Sequence, residues 1–382
     1  MVGVGTAAYN EDRFSCASTA NRSFPVAKNS SLTLIIPGFL PDFRVAASLA
    51  QALEQKLPPQ ATILKWFATA QVLIDPFDVD AAGADCHTVW WLRQAGFPER
   101  ALRAGQGIGP LLGQPRADHP CWIIDLAHVQ VGRDGLVMTD PGALALGEPD
   151  GEALLEAARP LLQQAGVAVT PLSATRWQAE LPPDWALHPA ALDAVVGQEL
   201  DHWWPKEPGA RAWRRVSNEI QMTWHAHPVN AAREQAGLAP INALWLYGGA
   251  PPWTPVWQSP RPNALLTRMD WLQTLAARTE PPLPTVGNWP DYLPGHPRWV
   301  IDDFIEPARS GEWDRWLDAL AALEARLPAI SQALKQGRLH HLRLVLPAAD
   351  RILTLDLVPR PWWLRWLPQP HKNWKSWWNP AS

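Results

Sequence analysis

The chain predicts a mixed α/β (α+β) protein, with a mixed sheet and flanking helices. Three observations carry that expectation. Short apolar runs such as SLTLIIPGFL, CWIIDLAHVQV and INALWLYGG have the length of strands and end in turn residues. Other runs place apolar residues at helical spacing, as in FRVAASLAQALEQKL and GEWDRWLDALAALEARLPAISQALKQG. The two kinds intermix along the whole chain with no internal repeat, which suits helices packed on a sheet.

Residues 1–30 are polar and patternless and are expected to be disordered. SLTLIIPGFL reads as a strand, followed by an amphipathic helix that ends at Pro58-Pro59. ATILKWFA fits a strand or a short helix, and DCHTVWWLRQAGF a short helix carrying His87. Residues 99–118 read as loops. CWIIDLAHVQV and GLVMTD pair as a hairpin across Gly132-Arg133-Asp134-Gly135. EPDGEALLEAARPLLQQAG is a helix, and VAVTPLS with TRWQAEL are two more strands. Farther on, NALLTRMDWLQTLAAR is expected as a helix, 281–297 as a Pro-rich bridge and WVIDDFIEP as a strand. The long helix that follows is expected to be interrupted at Pro328. LHHLRLVLP and RILTLDLVP close a second hairpin. These elements suggest an α/β domain over 31–258, an α+β portion over 259–358 and a Trp/Lys-rich tail over 359–382.

With 382 residues, 47% of them hydrophobic and 18% charged, the chain has the material for a core. A net charge of −4 argues against a general nucleic-acid binder. Cys16, Cys86 and Cys121 are widely spaced without a C-x-x-C pair, and read as reduced thiols of a cytoplasmic protein. The first residues lack a basic region followed by an apolar one, so no signal peptide is expected. No apolar run approaches the ~18 residues of a membrane span.

The richest stretch runs from Ser217 to Gly249. The helix ARAWRRVSNEIQMTWHAH buries Trp213, Val216, Ile220 and Trp224 at helical spacing. Its other side carries Arg211, Arg214, Asn218, Gln221 and His225. Pro228 breaks the chain after His227. VNAAREQAG is a second helix, with Asn230 as its N-cap and Gly237 beyond its C-terminus. INALWLYGG is a buried strand ending in Gly248-Gly249, where backbone can come close to a ligand or to another segment. Asn218, Gln221, His225, His227, Asn230, Arg233 and Asn242 thus converge on one turn, either as caps and satisfied core groups or as ligand contacts.

The segment HPVNAAREQAGLAPINALWLYGG resembles a pattern HPVN-x-x-R-x-x-x-G-x-x-P-x-N-x-L-W-x-x-G-G found in RpfE-type regulatory proteins of bacteria, also described as cofactor-independent phosphoglycerate mutase-like. His227, Pro228, Asn230, Arg233, Gly237, Pro240, Asn242, Trp245, Gly248 and Gly249 fit it. LIIPGFL and CWIIDLAHVQVGRDGLVMTDPGALAL add weaker likenesses. A looser resemblance links the chain to archaeal-type phosphoglycerate mutases, which implies a remnant of an alkaline-phosphatase-like fold. That resemblance also implies two metals on Asp and His side chains and a nucleophilic Ser. The chain departs from it: Pro37 stands where a ligand Asp belongs, no D-x-x-G-H or D-H-S follows, and the strand ends in Tyr247-Gly248 rather than Arg-Gly.

The resemblance therefore implies a non-catalytic or vestigial relative with a regulatory or binding role, acting on a protein partner or a phosphorylated small ligand. Its ligand-binding candidates are Arg211, Arg214, Asn218, Gln221, His225, His227, Asn230, Arg233, Asn242, Gly248 and Gly249. Arg211, Arg214, Arg233 and His227 would supply donors to phosphate. No catalytic residue, metal or cofactor is assigned. The alternative is a metal-dependent phosphoryl-transfer enzyme, a mutase or phosphatase using Mn, Zn or Mg, for which three ligands would have to converge.

Other clusters carry less. Asp302-Asp303 with Glu306 reads as strand-end charge, and Asp75-x-x-Asp78-x-Asp80 as a solvated loop. His340 and His341 alternate faces of a strand. GQGIGPLLG has no strand feeding it, which makes it a weak phosphate loop. The tail RPWWLRWLPQPHKNWKSWW interleaves Trp362, Trp363, Trp366, Trp374, Trp377 and Trp378 with Arg360, Arg365, Lys372 and Lys375. It reads first as a strap over the domain, second as a scaffold or peripheral membrane contact, and last as a single-stranded nucleic-acid platform.

Overall fold

A computed structural model describes residues 30–102, 106–116, 119–132, 135–286, 294–359 and 372–379. The elements begin with β1 (Ser31–Ile35), α1 (Phe43–Lys56), α2 (Thr62–Thr69), β2 (Gln71–Pro76), α3 (Val79–Ala82), α4 (Cys86–Gln94), α5 (Glu99–Leu102) and α6 (Gly109–Leu112). Next come β3 (Cys121–Ala127), β4 (Val129–Val131), β5 (Leu136–Met138), α7 (Glu148–Gln164), β6 (Ala168–Ser173), β7 (Arg176–Glu180), α8 (Leu192–Val195) and α9 (Leu200–Trp203). α10 (Ala210–His225), α11 (Pro228–Gln235), β8 (Ala243–Ala250), β9 (Leu265–Leu266), α12 (Asp270–Ala277), β10 (Thr285–Val286) and β11 (Arg298–Val300) lead to α13 (Ile305–Ser310), α14 (Trp313–Lys335), β12 (His341–Pro347), β13 (Arg351–Leu357) and α15 (Lys375–Trp378).

The strands form a seven-stranded sheet in the order β10-β9-β11-β1-β12-β13-β2, a four-stranded sheet in the order β6-β7-β3-β8, and the β4-β5 hairpin. β1 is central in the larger sheet and parallel to both neighbours, with Leu34 opposite Trp299 on β11 and Leu344 on β12. β13 and β2 continue antiparallel. The fold is thus the expected mixed α/β arrangement of mixed sheet and flanking helices.

Strand alternation distributes the core. Leu32, Leu34 and Ile36 enter one cluster with α1, α2 and α14, while Ile35 faces the opposite cluster, which lies between the two sheets. In β3, Cys121, Ile123 and Ala127 face that middle cluster, and Trp122, Ile124 and Leu126 face a third one beneath α7 and α10. The layers run helices, large sheet, middle helices, small sheet, helices, and the fully buried β3 and β8 carry apolar residues on both faces, with the buried Asp125 of β3 paired to Arg176 and Tyr247.

Several elements depart from expectation, each for a tertiary reason. ATILKWFA, by contrast, takes the helical one of its two expected forms, with Ile63, Trp66 and Phe67 buried on one side. QVLIDP, unmarked in the sequence, forms β2 because β13 pairs with it over six positions. Asp75 lies in that strand and Asp78 caps α3, so this cluster is not a simple loop. Residues 99–118 include the short helices α5 and α6. Leu265 and Leu266 are a strand rather than helix because β10 and β11 flank them, and α12 begins only at Asp270. WVIDDFIEP stops as a strand at Val300, and Phe304 turns into the core before α13. α14 runs through Pro328 without a break, held by buried Leu323, Leu327, Ile330 and Leu334. The N-cap of α11 is His227, not Asn230. The large sheet draws strands from both sides of residue 258. The N-terminal segment over 1–29, together with Trp362, Trp363 and Trp366, lies outside the described residues.

Candidate functional site

The carboxyl ends of β1 and β12 open onto a cleft of about 570 Å³. Ligands of open α/β sheets sit outside the carboxyl ends of parallel strands. Pro37 and Gly38 after β1, and Pro347 at the end of β12 with Ala348 and Ala349 after it, form its floor. Gly38 has φ +75°, and a Cβ there would fall 2.6 Å from the Phe304 carbonyl oxygen, so the floor needs glycine at this point. α3, α4, α8, α9 and α13 bring polar side chains to the walls.

Asp85 caps α4, accepting the Thr88 N–H at 2.6 Å. Asp193, on α8, accepts the Thr88 hydroxyl at 2.6 Å and the Asp85 N–H at 3.3 Å. Two carboxyl groups therefore meet at the wall. Burial first, and the Asp85 charge second, push the Asp193 carboxyl up to about 7. His87 is buried beside them, and burial drives its imidazole down to about 4. Its Nε2 accepts the indole N–H of Trp91 at 3.0 Å, as a neutral ring can. Cys86 points its thiol at the Arg351 carbonyl oxygen, and burial raises that thiol far above the ordinary range. It is accordingly a poor nucleophile.

Across the mouth, His202 Nε2 lies 3.0 Å from Asp80 Oδ1. Arg309 on α13 pairs with Asp140, which precedes the turn after β5. Among the described residues, no three His, Cys, Asp or Glu side chains are grouped so as to hold a metal ion. The arrangement offers a walled, mostly acidic recess in which the Asp193 carboxyl is raised by burial and by the neighbouring Asp85 charge.

None of the eleven ligand-binding candidates from the sequence lines this cleft. Asn230 is buried and donates to the Trp224 and Ile241 carbonyl oxygens at 2.8 Å each, while accepting the Ile241 N–H at 2.7 Å. Arg233, also buried, donates to the carbonyl oxygens of Ala239 at 2.8 Å and Leu144 at 2.5 Å. Asn242 ties the backbone of Val129 through both its N–H and its carbonyl. Arg214 donates to the Pro205 carbonyl oxygen, and His227 Nδ1 accepts the Val229 N–H. Gly248 has φ +81° and packs on Gly109, and a Cβ at Gly249 would fall 2.2 Å from the Trp122 ring. The close approach made by this glycine pair is to other chain segments. Arg211, Asn218, Gln221 and His225 stand exposed on α10.

The remaining clusters are also paired. Arg268 binds both Asp302 and Asp303. His341 contacts Asp356, and His340 contacts Ser30. Trp374, Trp377 and Trp378 are buried in the first core cluster, against Phe67 and neighbouring rings. Of the cleft residues, the sequence marked only Asp80, in a carboxylate cluster read as a solvated loop, Pro37, where a ligand Asp was missing, and His87 and Cys86 in passing; none was assigned to a site. Their weak signal was Asp85 and Asp193 at helix starts, 108 positions apart.

No protein-family model matches the chain, and no curated protein matches it. Solved structures give distant similarity. The cofactor-independent phosphoglycerate mutase from Thermoplasma acidophilum DSM 1728 matches at 15% identity and a TM-score of 0.39, over 91% of this chain and 94% of that one. The PH0037 protein from Pyrococcus horikoshii matches at 12% identity and a TM-score of 0.45, over 87% and 88%. The chain is thus a mixed α/β protein with a distant structural similarity to these two. Among the described residues, no helix is long and apolar enough to cross a membrane.

Proposed function

We propose that this chain is a small-molecule-binding protein with a regulatory rather than catalytic role, and that its ligand occupies the cleft at the carboxyl ends of β1 and β12. The observation that carries this reading is the cleft itself. It has the volume of a small-ligand site, and it lies where the topology of a parallel sheet favours binding. Its floor begins with Pro37 and Gly38, where the mutase resemblance would have required a metal-binding Asp. Asp193 pairs with the Thr88 hydroxyl and the Asp85 backbone N–H, and Asp80 with His202, so these carboxyl groups are engaged separately rather than converging on one point.

The Ser217–Gly249 segment supports this reading as a scaffold. Arg233 and Asn230 spend their hydrogen bonds on backbone, so a phosphate at those residues would have to displace internal bonds. The test is an assay of phosphoglycerate mutase and general phosphatase activity on the full chain, with and without Mn²⁺, Zn²⁺ or Mg²⁺, run beside a calorimetric screen of small molecules. Saturable binding that is weakened by a bulky Ala348→Trp substitution, without turnover, is the expected result. Metal-dependent turnover abolished by substitution of His87 or Asp193 would overturn the reading and establish an enzyme.

A further inference from the structure

The large sheet ends on one side in β2, and among the described residues no strand pairs with its outer edge. Its inner edge pairs with β13 from Gln71 to Pro76 without a shift of register. Just beyond those pairs the Phe77 N–H donates to the Asp350 carbonyl oxygen at 2.8 Å. Backbone groups of an antiparallel strand point alternately to one neighbour and to the other. Gln71, Leu73 and Asp75 therefore turn theirs to β13, in step with Phe77, while Val72, Ile74 and Pro76 turn theirs outward. The outer edge offers the N–H and carbonyl of Val72 and of Ile74, and at Pro76 a carbonyl alone.

Edge strands are ordinarily kept from pairing by charges, bulges or a covering segment. β2 instead carries Leu73, 56% exposed, and Ile74, 44% exposed, on opposite faces at its middle. Asp75 and Pro76 guard one end only. The order of these residues decides what fits there. A second β2, laid antiparallel and turned about Leu73, sets Leu73 opposite the copy's Leu73, Val72 opposite the copy's Ile74 and Gln71 opposite the copy's Asp75. Apolar side chains then meet apolar ones on both faces, and an amide donor meets a carboxylate at each end. Each Val72–Ile74 pair exchanges both of its backbone hydrogen bonds. Turning the copy about Ile74 would set the Val72 carbonyl against Pro76, which has no N–H to give. Turning it about Val72 would set Leu73 against Gln71.

We propose that the outer edge of β2 is a homodimer contact, in which a second copy of this chain pairs antiparallel about Leu73 and continues the seven-stranded sheet into its own. β2 leads directly into α3, whose Val79 and Asp80 line the cleft, so the contact joins each copy beside its cleft mouth. The paired strands run in opposite senses, and the two clefts open away from each other.

The test is sedimentation velocity of the full chain over a range of concentrations, beside Ile74→Pro and Ile74→Lys. The expected result is a dimer whose dissociation constant rises at least ten-fold in both variants. Proline at an edge position whose N–H faces outward removes no bond to β13, so an unchanged circular dichroism spectrum is expected of Ile74→Pro. Leu73→Cys and Asp75→Cys, each made with Cys16→Ser, read the register, since Cys86 and Cys121 are buried. Oxidation by diamide should cross-link Leu73→Cys, whose Cα atoms face each other at about 4.5 Å. It should leave Asp75→Cys unlinked, its Cα atoms being about 14 Å apart. A monomer at every concentration would overturn the proposal. So would a dimer unmoved by both Ile74 substitutions, or one cross-linked through Asp75→Cys and not through Leu73→Cys, because another surface or register would then hold it.

Discussion

The Asp85 backbone N–H donates to Asp193 Oδ1 across 3.3 Å, joining the start of α4 to the start of α8 over 108 positions of sequence. That contact holds the Asp193 carboxyl beside the α4 cap at the wall of the cleft, where burial first and the Asp85 charge second raise its titration.

Asp193 should weaken the folded state as pH rises. Its folded carboxyl titrates at about 7 against an ordinary value of 3.8, so the folded state holds the extra proton between those values. Stability then falls from about pH 4 to pH 7 on account of this group and stays low above. Asp193→Asn cannot ionise, and its one oxygen keeps the short bond from the Thr88 hydroxyl while the longer one from the Asp85 N–H is given up. We expect it to stabilise the protein at pH 8 by on the order of 1–2 kcal/mol and to change little at pH 4. Urea denaturation at both pH values decides this, and an equal effect at both would contradict it.

His87 has the opposite sign. Its imidazole titrates at about 4 when folded and at an ordinary 6.5 when unfolded, so the unfolded chain gains the proton first. Stability falls as pH drops from about 6.5 to 4. His87→Gln retains an acceptor for the Trp91 indole and does not charge. The denaturation midpoint of this variant should therefore fall less steeply than wild type across that window.

Arg233→Ala should be costly although the residue touches no ligand in our reading. The substitution leaves the Leu144 and Ala239 carbonyl oxygens without their donors inside the small-sheet lobe. A loss of about 2–4 kcal/mol is expected from two buried unpaired acceptors and lost packing, measured as a lower urea midpoint. An unchanged midpoint would return Arg233 to the list of available cations.

The two tryptophans of α15 should respond differently to Phe. Trp378 donates its indole N–H to the Ala46 carbonyl oxygen at 2.9 Å, so Trp378→Phe should cost about 1–2 kcal/mol. The indole nitrogen of Trp377 is buried with no partner among the described residues, so Trp377→Phe removes an unmet donor and should be close to neutral. Equal losses from both would mean that ring volume alone decides, and thermal melting of the pair distinguishes the cases.

The sequence revealed most where apolar pattern and local turn chemistry agree. β1, β8, α1, α7 and α10 lie where their periodicity placed them, because each buries a face that its own residues define. β2 escaped notice because Leu73 and Ile74 are exposed and only β13 holds the strand in place. α14 looked broken at Pro328, yet four buried apolar side chains outweigh the one lost hydrogen bond. The cleft was hard to read for a different reason. Asp85, Asp193, Glu199 and Arg309 come from four separate elements and share no local motif. The Ser217–Gly249 segment was conspicuous because its polar residues serve one continuous stretch of backbone, where Asn230 and Arg233 close turns that a shorter side chain would leave open.

The central position of β1 has a consequence for biosynthesis. Its two partners, β11 and β12, begin at Arg298 and His341, so β1 leaves the ribosome long before either strand that covers its edges. During that interval Leu32 and Leu34 have no sheet to join, and long-range parallel pairing is slow to form. The pairing of β1 thus waits for the synthesis of β11 and β12, and α1 and α2, which follow it in the chain and share its core cluster, are elements that can cover its apolar side chains meanwhile.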